Sequence, residues 1–392
     1  MNSKINNCRL VEAANAYDHW LGQQVFPVWL ANGFEASGAS IETFTAHGHP
    51  DLRSHKRIRV QARQMFCVCY GQTRGWTDSG SDILHGIDSF LANSTESHSP
   101  GFYPTILNAE NQVIDTSRDL YDCAFFLLAY AWRYRVFHDL HALKNAHNLI
   151  NIIEHLLKGS RGGWKEGDYA YQVRRQNPHM HLFEAFMALY ESTRDAKWLA
   201  YAGEMFALFE TVFFDEEAAV LREFFTDNWQ PDPARSHVIE PGHMMEWVWL
   251  LYKYGSLSGK PVHKYCTTLY RQALKIGLCK SSDLLLDAVT ATGEVITGTK
   301  RCWPMTEWVK AALAMTILFP NEKNKSHAYV NDASNALSSL MRHYRHPERA
   351  GHYIDRRDEK NNILDASMPA STLYHLCMTH NEVFNWLRLR CQ

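Results

Sequence analysis

Residues 240–251 read Glu-Pro-Gly-His-Met-Met-Glu-Trp-Val-Trp-Leu-Leu. Pro241 and Gly242 end whatever precedes them, and a helical pattern begins at once. His243, Glu246, Trp247, Leu250, Leu251 and Tyr254 fall at i, i+3, i+4, i+7, i+8 and i+11, one face of one helix. That face is apolar except in its first turn, which carries an imidazole and a carboxylate. Taking such groups out of water is costly unless they are paired or meet a polar ligand. Two readings follow: a hydrogen-bonded His–Glu pair in a core helix, or a pair that works on something entering the fold.

Recurrence along the chain decides between them. From His181 to Asp215, Leu182, Phe186 and Leu189 line one helix, Ser192–Asp195 make a turn, and Trp198 to Phe214 form a second apolar stripe. Similar hairpins turn near Arg74–Asp78, Phe137–Asp139, Ser256–Pro261 and Pro320–Asn324, at a spacing of about 60 residues. A first helix near Leu10–Trp29 and a last one near Met368–Thr379 pair as a sixth hairpin. Six hairpins predict an all-α chain closed into an (α/α)6 barrel, a single catalytic domain over residues 1–392. The long connections Ser99–Asp119, Gly159–Pro178, Phe213–Pro241, Lys280–Arg301 and His346–Ser367 each follow an outer helix and precede an inner one. They gather at one end of the barrel, where loops of this length are usually functional. Phe102–Asp115 and Leu284–Val295 suit short β-hairpins within them.

A site at that end is built from the first turns of the inner helices. Arg63, Tyr121, His181, Glu246, Glu307 and His375 open the six, again at intervals of about 60 residues. Lone acids commonly cap helix N-termini. Six chemically competent groups converging on one mouth favour the working pair. Asn177 precedes Pro178, which suits the first position of the helix carrying His181. Trp303 stands near the mouth ahead of Glu307, and Ser371 lies four residues before His375 on one face, as Arg59 does before Arg63.

Composition narrows the class. The chain is 46% hydrophobic and 21% charged, with a formal net charge of −2, so it carries no electrostatic footprint for nucleic acid or a membrane surface. The longest apolar run, Cys123–Trp132, is about half of what a bilayer requires. Met1–Leu10 is polar and lacks the apolar region of a signal peptide, which points to the cytoplasm. Nine cysteines without zinc-ribbon spacing read as mostly reduced core thiols. His243-x-x-Glu246 is not the His-Glu-x-x-His pattern, no glycine-rich phosphate loop is present, and no metal or other cofactor is expected. An aromatic content of 12% suits a sugar-stacking cleft and a large core equally.

Four motifs carry a resemblance: Asn177-Pro178-His179-Met180-His181-Leu182-x-Glu184-Ala185, Glu240-Pro241-Gly242-His243-x-x-Glu246-Trp247, Trp303-Pro304-x-x-Glu307 and Met368-Pro369-Ala370-Ser371-Thr372-x-Tyr374-His375. From about Gln61 to His375 the chain resembles the N-acylglucosamine 2-epimerase superfamily, most closely its mannose isomerase and aldose–ketose isomerase branch. Cys123 and Cys302 depart from the pattern, standing where a larger polar residue and an aromatic are expected. The resemblance implies an (α/α)6 barrel and metal-free proton transfer on a reducing monosaccharide. It implies that Arg63 binds the sugar oxygens, Tyr121 contacts the sugar and Asn177 orients it, with Trp303, Glu307 and Ser371 also substrate-binding. His181 and His375 become the acid/base pair, and His243 with Glu246 assists ring opening and polarises the C1/C2 oxygens. A histidine's ordinary pKa of about 6.5 suits such transfers near neutral pH. The expected reaction converts an aldose to its ketose, D-mannose to D-fructose, through a cis-enediol. The alternatives are a 2-epimerase and an α/α-barrel glycoside hydrolase using Glu246 and Glu307. A monomer or homodimer is expected.

Overall fold

The structure, a computed structural model, describes residues 2–95, 97–320 and 322–390. In chain order its helices are α1 (Asn2–Trp20), α2 (Phe26–Asn32), α3 (Ile58–Thr73), α4 (Gly80–Thr95), α5 (Leu120–Phe137), α6 (Leu140–Ile152), α7 (Gln176–Thr193), α8 (Ala196–Leu208), α9 (Pro241–Ser258), α10 (His263–Gly277), α11 (Trp303–Leu318), α12 (Lys323–Tyr344) and α13 (Ala370–Arg390). A π-helical turn, Leu21–Val25, joins α1 and α2 into one rod. The odd-numbered helices from α3 to α13 pack each on the next, and α13 returns to α3, closing an inner ring. The even-numbered helices from α4 to α12 lie outside it, and α1 completes the outer layer against α12 and α13.

Composition sorts the two layers. Every residue of α5 from Leu120 to Arg133 is buried except Tyr121, because a helix apolar on all sides needs neighbours on all sides. The outer α10 instead buries one stripe, Cys266, Leu269, Tyr270, Ala273 and Ile276. Tight hairpins join the layers. Asp139 accepts the His141 and Ala142 N–H groups at 2.9 and 3.0 Å, capping α6 one residue after His138 ends α5 in the left-handed region (φ 52°).

Short antiparallel pairings organise the loop end and set where inner helices begin. Strands at Lys56–Arg57, Arg174–Arg175, Lys300–Arg301 and Met368–Pro369 lead into α3, α7, α11 and α13. The first pairs with Ile106–Leu107, the second with Phe224–Phe225, the third with Arg356–Arg357 and the fourth with Thr43–Phe44. The expected β-hairpins are present, Ile106–Leu107 against Val113–Asp115 and Ala288–Val289 against Val295–Thr297.

These pairings correct several expected boundaries. Extended chain stops at Arg57, Arg175 and Pro369, and the helix follows directly, so inner helices begin about one turn earlier than the polar residues suggested. Arg63, His181, Glu246, Glu307 and His375 lie in second turns, and Tyr121 alone lies in a first turn. Asn177 is helical rather than extended, and Pro178 is the third helical residue, still among the N–H positions without an intrahelical acceptor. Met368 belongs to a strand, and the first helix runs from Asn2 through the π-turn to Asn32. At the opening stretch, Glu240 is extended and Pro241 is the first helical residue, as expected. Gly242 serves a contact: a Cβ there would lie 2.6 Å from the Trp303 ring, so α9 and α11 start against each other.

Of the seven cysteines whose side chains are described, six are buried, Cys123 and Cys302 among them, and none is disulfide-bonded. Among the described residues, no helix is long and apolar enough to cross a membrane.

Candidate active site

A cavity of about 310 Å³ opens at the loop end. Nine of the ten residues expected there line it: Arg63, Tyr121, Asn177, His181, His243, Glu246, Trp303, Ser371 and His375. Glu307 does not. It is fully buried and accepts a hydrogen bond from His375 Nδ1 at 2.9 Å, so it supports a histidine instead of meeting a ligand. Arg59 pairs with Asp122 at 3.0 Å. Neither Cys123 nor Cys302 reaches the cavity lining.

Three histidines line this cavity in two different states. His181 hydrogen-bonds Glu184 Oε2 through Nδ1 at 3.3 Å, in a box formed by Tyr121 and Phe125, whose centroids are 5.1 and 4.6 Å away. Burial drives its pKa down to about 4 against the opposing pull of Glu184. His375 is likewise lowered to about 4 by burial, although Glu307 acts the other way. With both Nδ1 atoms engaged by carboxylates, Nε2 is the nitrogen left to meet a ligand on each ring. His243 differs. Burial works against its charged form, but Glu223, 2.9 Å from Nδ1, and Glu240 outweigh it and hold the pKa at about 9. His243 is therefore a cation at neutral pH while His181 and His375 are neutral.

The charge on His243 also orients Asn177. Asn177 Nδ2 lies 3.3 Å from His243 Nε2, which carries a hydrogen in the cation. The carboxamide must turn its oxygen there, giving the otherwise unpartnered Oδ1 a donor and aiming its NH2 elsewhere. Trp303 stands between two of the histidines, 5.0 Å from His243 and 5.6 Å from His375. Arg63 donates to Tyr121 Oη at 2.7 Å and lies over the Phe125 ring at 4.1 Å. Among the described residues it makes no ion pair with a carboxylate, so its charge is available to the cavity.

Residues 39–379 match the family described as N-acylglucosamine 2-epimerase (GlcNAc 2-epimerase). The chain belongs to the N-acylglucosamine 2-epimerase family. It is thus a member of a family of sugar epimerases and isomerases. It is 32% identical over 377 residues to a mannose-6-phosphate isomerase of Rhizobium meliloti (strain 1021), an alignment covering 94% of this chain and 96% of that one. The fold is that of a D-mannose isomerase crystal structure, with a TM-score of 0.83 at 18% identity, covering 95% of this chain and 97% of the other. A cellobiose 2-epimerase from Spirochaeta thermophila DSM 6192 is as similar, with a TM-score of 0.83 at 17% identity and 98% coverage of both chains.

Beneath the cavity this family member carries a layer of buried charge that motif reading did not reveal. Lys310, fully buried, ion-pairs with Glu307 at 2.6 Å and lies 3.7 Å from the centre of the Trp249 ring. Burial raises the Glu307 carboxyl, but Lys310 and His375 overcome it and keep the group below its usual range. Glu246 is pushed the other way. Burial first, then the Glu307 charge, raises it well above the carboxylate range, so it is a neutral acid able to donate. Its Oε1 makes no hydrogen bond among the described residues and lies 4.0 Å from His181 Nδ1. The expected His243–Glu246 pair is therefore replaced by His243–Glu223, because a loop brings the Glu223 carboxylate to 2.9 Å from His243 Nδ1. Tyr374 Oη donates to Glu184, fixing the carboxylate behind His181. His179, two residues before His181, is a core group: it accepts the Trp164 N–H and donates to the Arg175 carbonyl, and burial lowers it to about 3.

Three groups of described residues have the donor types of a metal site: His181–Glu184–Glu246, Glu223–Glu240–His243 and Glu246–Glu307–His375. The second already holds Arg301 on Glu240 at 2.8 Å and Gln176 on Glu223 at 2.9 Å. The third already holds the Lys310 ammonium, and its Glu246 is neutral. In these two, residues of the chain supply the positive charge that a cation would bring.

Proposed function

We propose that this chain is an aldose–ketose isomerase of a mannose-type hexose that moves a proton between C2 and C1 through a cis-enediol, without a metal. The split protonation of the histidines carries the reading. A neutral His181 or His375 can accept the C2 proton, and the cationic His243 can donate to the ring or carbonyl oxygen. Arg63 and the neutral acid Glu246 supply a charge and a hydrogen bond to the oxygens on which enediolate charge develops. Trp303 offers a flat apolar face to the sugar, while Tyr121, Asn177 and Ser371 offer polar contacts. The relative named mannose-6-phosphate isomerase supports an isomerase acting on a mannose-type sugar. A hydrolase working through Glu246 and Glu307 would need both at the bond being cleaved, and Glu307 lies behind His375, off the cavity lining.

Incubating chelator-treated protein with mannose in heavy water, followed by NMR, tests this. Fructose labelled at C1, or carrying a transferred proton there, is the expected product. Glucose deuterated at C2 would instead mean reprotonation from the opposite face, making the enzyme a 2-epimerase. Inactivity after chelation, restored by a divalent ion, would overturn the metal-free mechanism.

A further inference from the structure

We propose that the cavity takes the terminal phosphate of a phosphorylated hexose and that Arg356 is the residue that holds it. The proposal rests on the isomerase reading for the identity of the sugar, and on the distribution of charge for the phosphate. Four arginines line the cavity. Arg57 is paired with Glu42, and Arg301 with both Glu240 (2.8 Å) and Asp287 (3.0 Å). Arg63 is buried by the inner helices among aromatic rings. Arg356 lies in the loop layer above them and makes neither an ion pair nor a side-chain hydrogen bond among the described residues, and its Nε is buried and unsatisfied.

Strand register makes this arrangement costly unless an anion completes it. Arg356 stands directly across from Arg301 on the neighbouring antiparallel strand. Directly opposed side chains are close, and like charges there destabilise the pair. Two carboxylates ion-pair with Arg301; among the described residues none ion-pairs with Arg356, whose charge acts on the Asp355 carboxyl only at longer range. The next residue, Arg357, takes the other course: its guanidinium donates to the backbone carbonyls of His343 and Asn361 (2.7 Å to the latter). Arg356, not Arg357, is the one that lines the cavity. Of the carboxylates close by, Glu240 is paired with Arg301, and Asp355 accepts the Thr372 hydroxyl at 2.9 Å and makes no ion pair with Arg356. The cavity therefore carries two guanidinium groups, Arg63 and Arg356, that make no ion pair with a carboxylate among the described residues. A neutral hexose needs one such group for its developing oxyanion. The second, a planar fork of donors in the loop layer, matches a phosphate.

Isothermal titration of mannose 6-phosphate and of mannose into the wild type and Arg356→Ala reads the proposal, and conversion to ketose is followed separately. The expected result is that mannose 6-phosphate binds about tenfold or more tightly than mannose, the size of one or two charge-assisted hydrogen bonds. Arg356→Ala should remove most of that ratio, and Arg356→Lys should keep part of it. Added salt should weaken wild-type binding of the phosphate ester more than that of mannose, a measurement that needs no variant. Equal binding of the two sugars, or a ratio untouched by Arg356→Ala, overturns the proposal even if mannose is isomerised. Tight, Arg356-dependent binding without any ketose would uphold the phosphate site and sink the isomerase reading instead.

Discussion

Glu223→Gln isolates the feature on which the mechanism depends, the charge on His243. Gln keeps an oxygen to accept from Gln176 and from His243 Nδ1, so the hydrogen-bond geometry at 2.9 Å can persist while the negative charge disappears. Burial is the largest influence on His243 and acts downward, and Glu223 is the largest influence acting upward. Without it the pKa should fall from about 9 to near the ordinary value of about 6.5. At pH 8 the cationic fraction then drops from roughly 90% to roughly 3%, an expected loss of about 30-fold in kcat/KM. At pH 5.5 the wild type is almost fully protonated and the variant roughly 90% protonated, so the variant should approach the wild type. The assay is ketose formation from mannose or its 6-phosphate across pH 5 to 9.5, with the His243 ring followed by NMR. A loss of the same size at every pH, with the alkaline limb still near 9, would refute the reasoning, because Glu223 would then matter for shape and not for charge.

Other consequences follow from the same groups. His181→Asn and His375→Asn should each lower kcat by about 10² to 10⁴ while the Kd for a non-reacting sugar alcohol changes only a few-fold; a loss confined to binding would demote that histidine to a contact. Unfolding by urea should give greatest stability near pH 6.5. His181 and His375, depressed to about 4, lose stability as pH falls from 6.5 through 4, whereas His243, raised to about 9, loses it as pH rises from 6.5 through 9. Each contribution is on the order of 3 kcal/mol, and a flat profile across pH 4.5, 6.5 and 8.5 would contradict the assigned protonation states. Lys310→Met leaves Glu307 buried without its ammonium and should cost about 3 to 5 kcal/mol in unfolding free energy. Adding Glu307→Gln should recover most of that stability but not activity, because His375 would still lack its carboxylate.

The sequence made some of this arrangement legible and concealed the rest for physical reasons. Helical period, turn chemistry and the interval of about 60 residues were enough for the barrel, because they act within a few turns of the chain. The nine cavity residues were legible because the barrel repeats, each hairpin delivering its polar group to one mouth. Helix starts were misplaced by about a turn, since the pairings of Lys56–Arg57 with Ile106–Leu107 and of Met368–Pro369 with Thr43–Phe44 join distant segments. Partners of the site divide the same way. Glu184 and Lys310 stand three residues after His181 and Glu307 on the same helices, a spacing that was available to be read. Glu223 gave no local signal. It lies in the connection between α8 and α9, and only the fold brings it to His243. That residue reverses the meaning of the stretch at 240–251. Read alone, His243 and Glu246 suggest an imidazole paired with a carboxylate. With Glu223 in place the imidazole is charged and Glu246, buried and beside Glu307, is neutral, so both offer protons to the cavity, and the proposed mechanism gives the task of accepting one to His181 and His375.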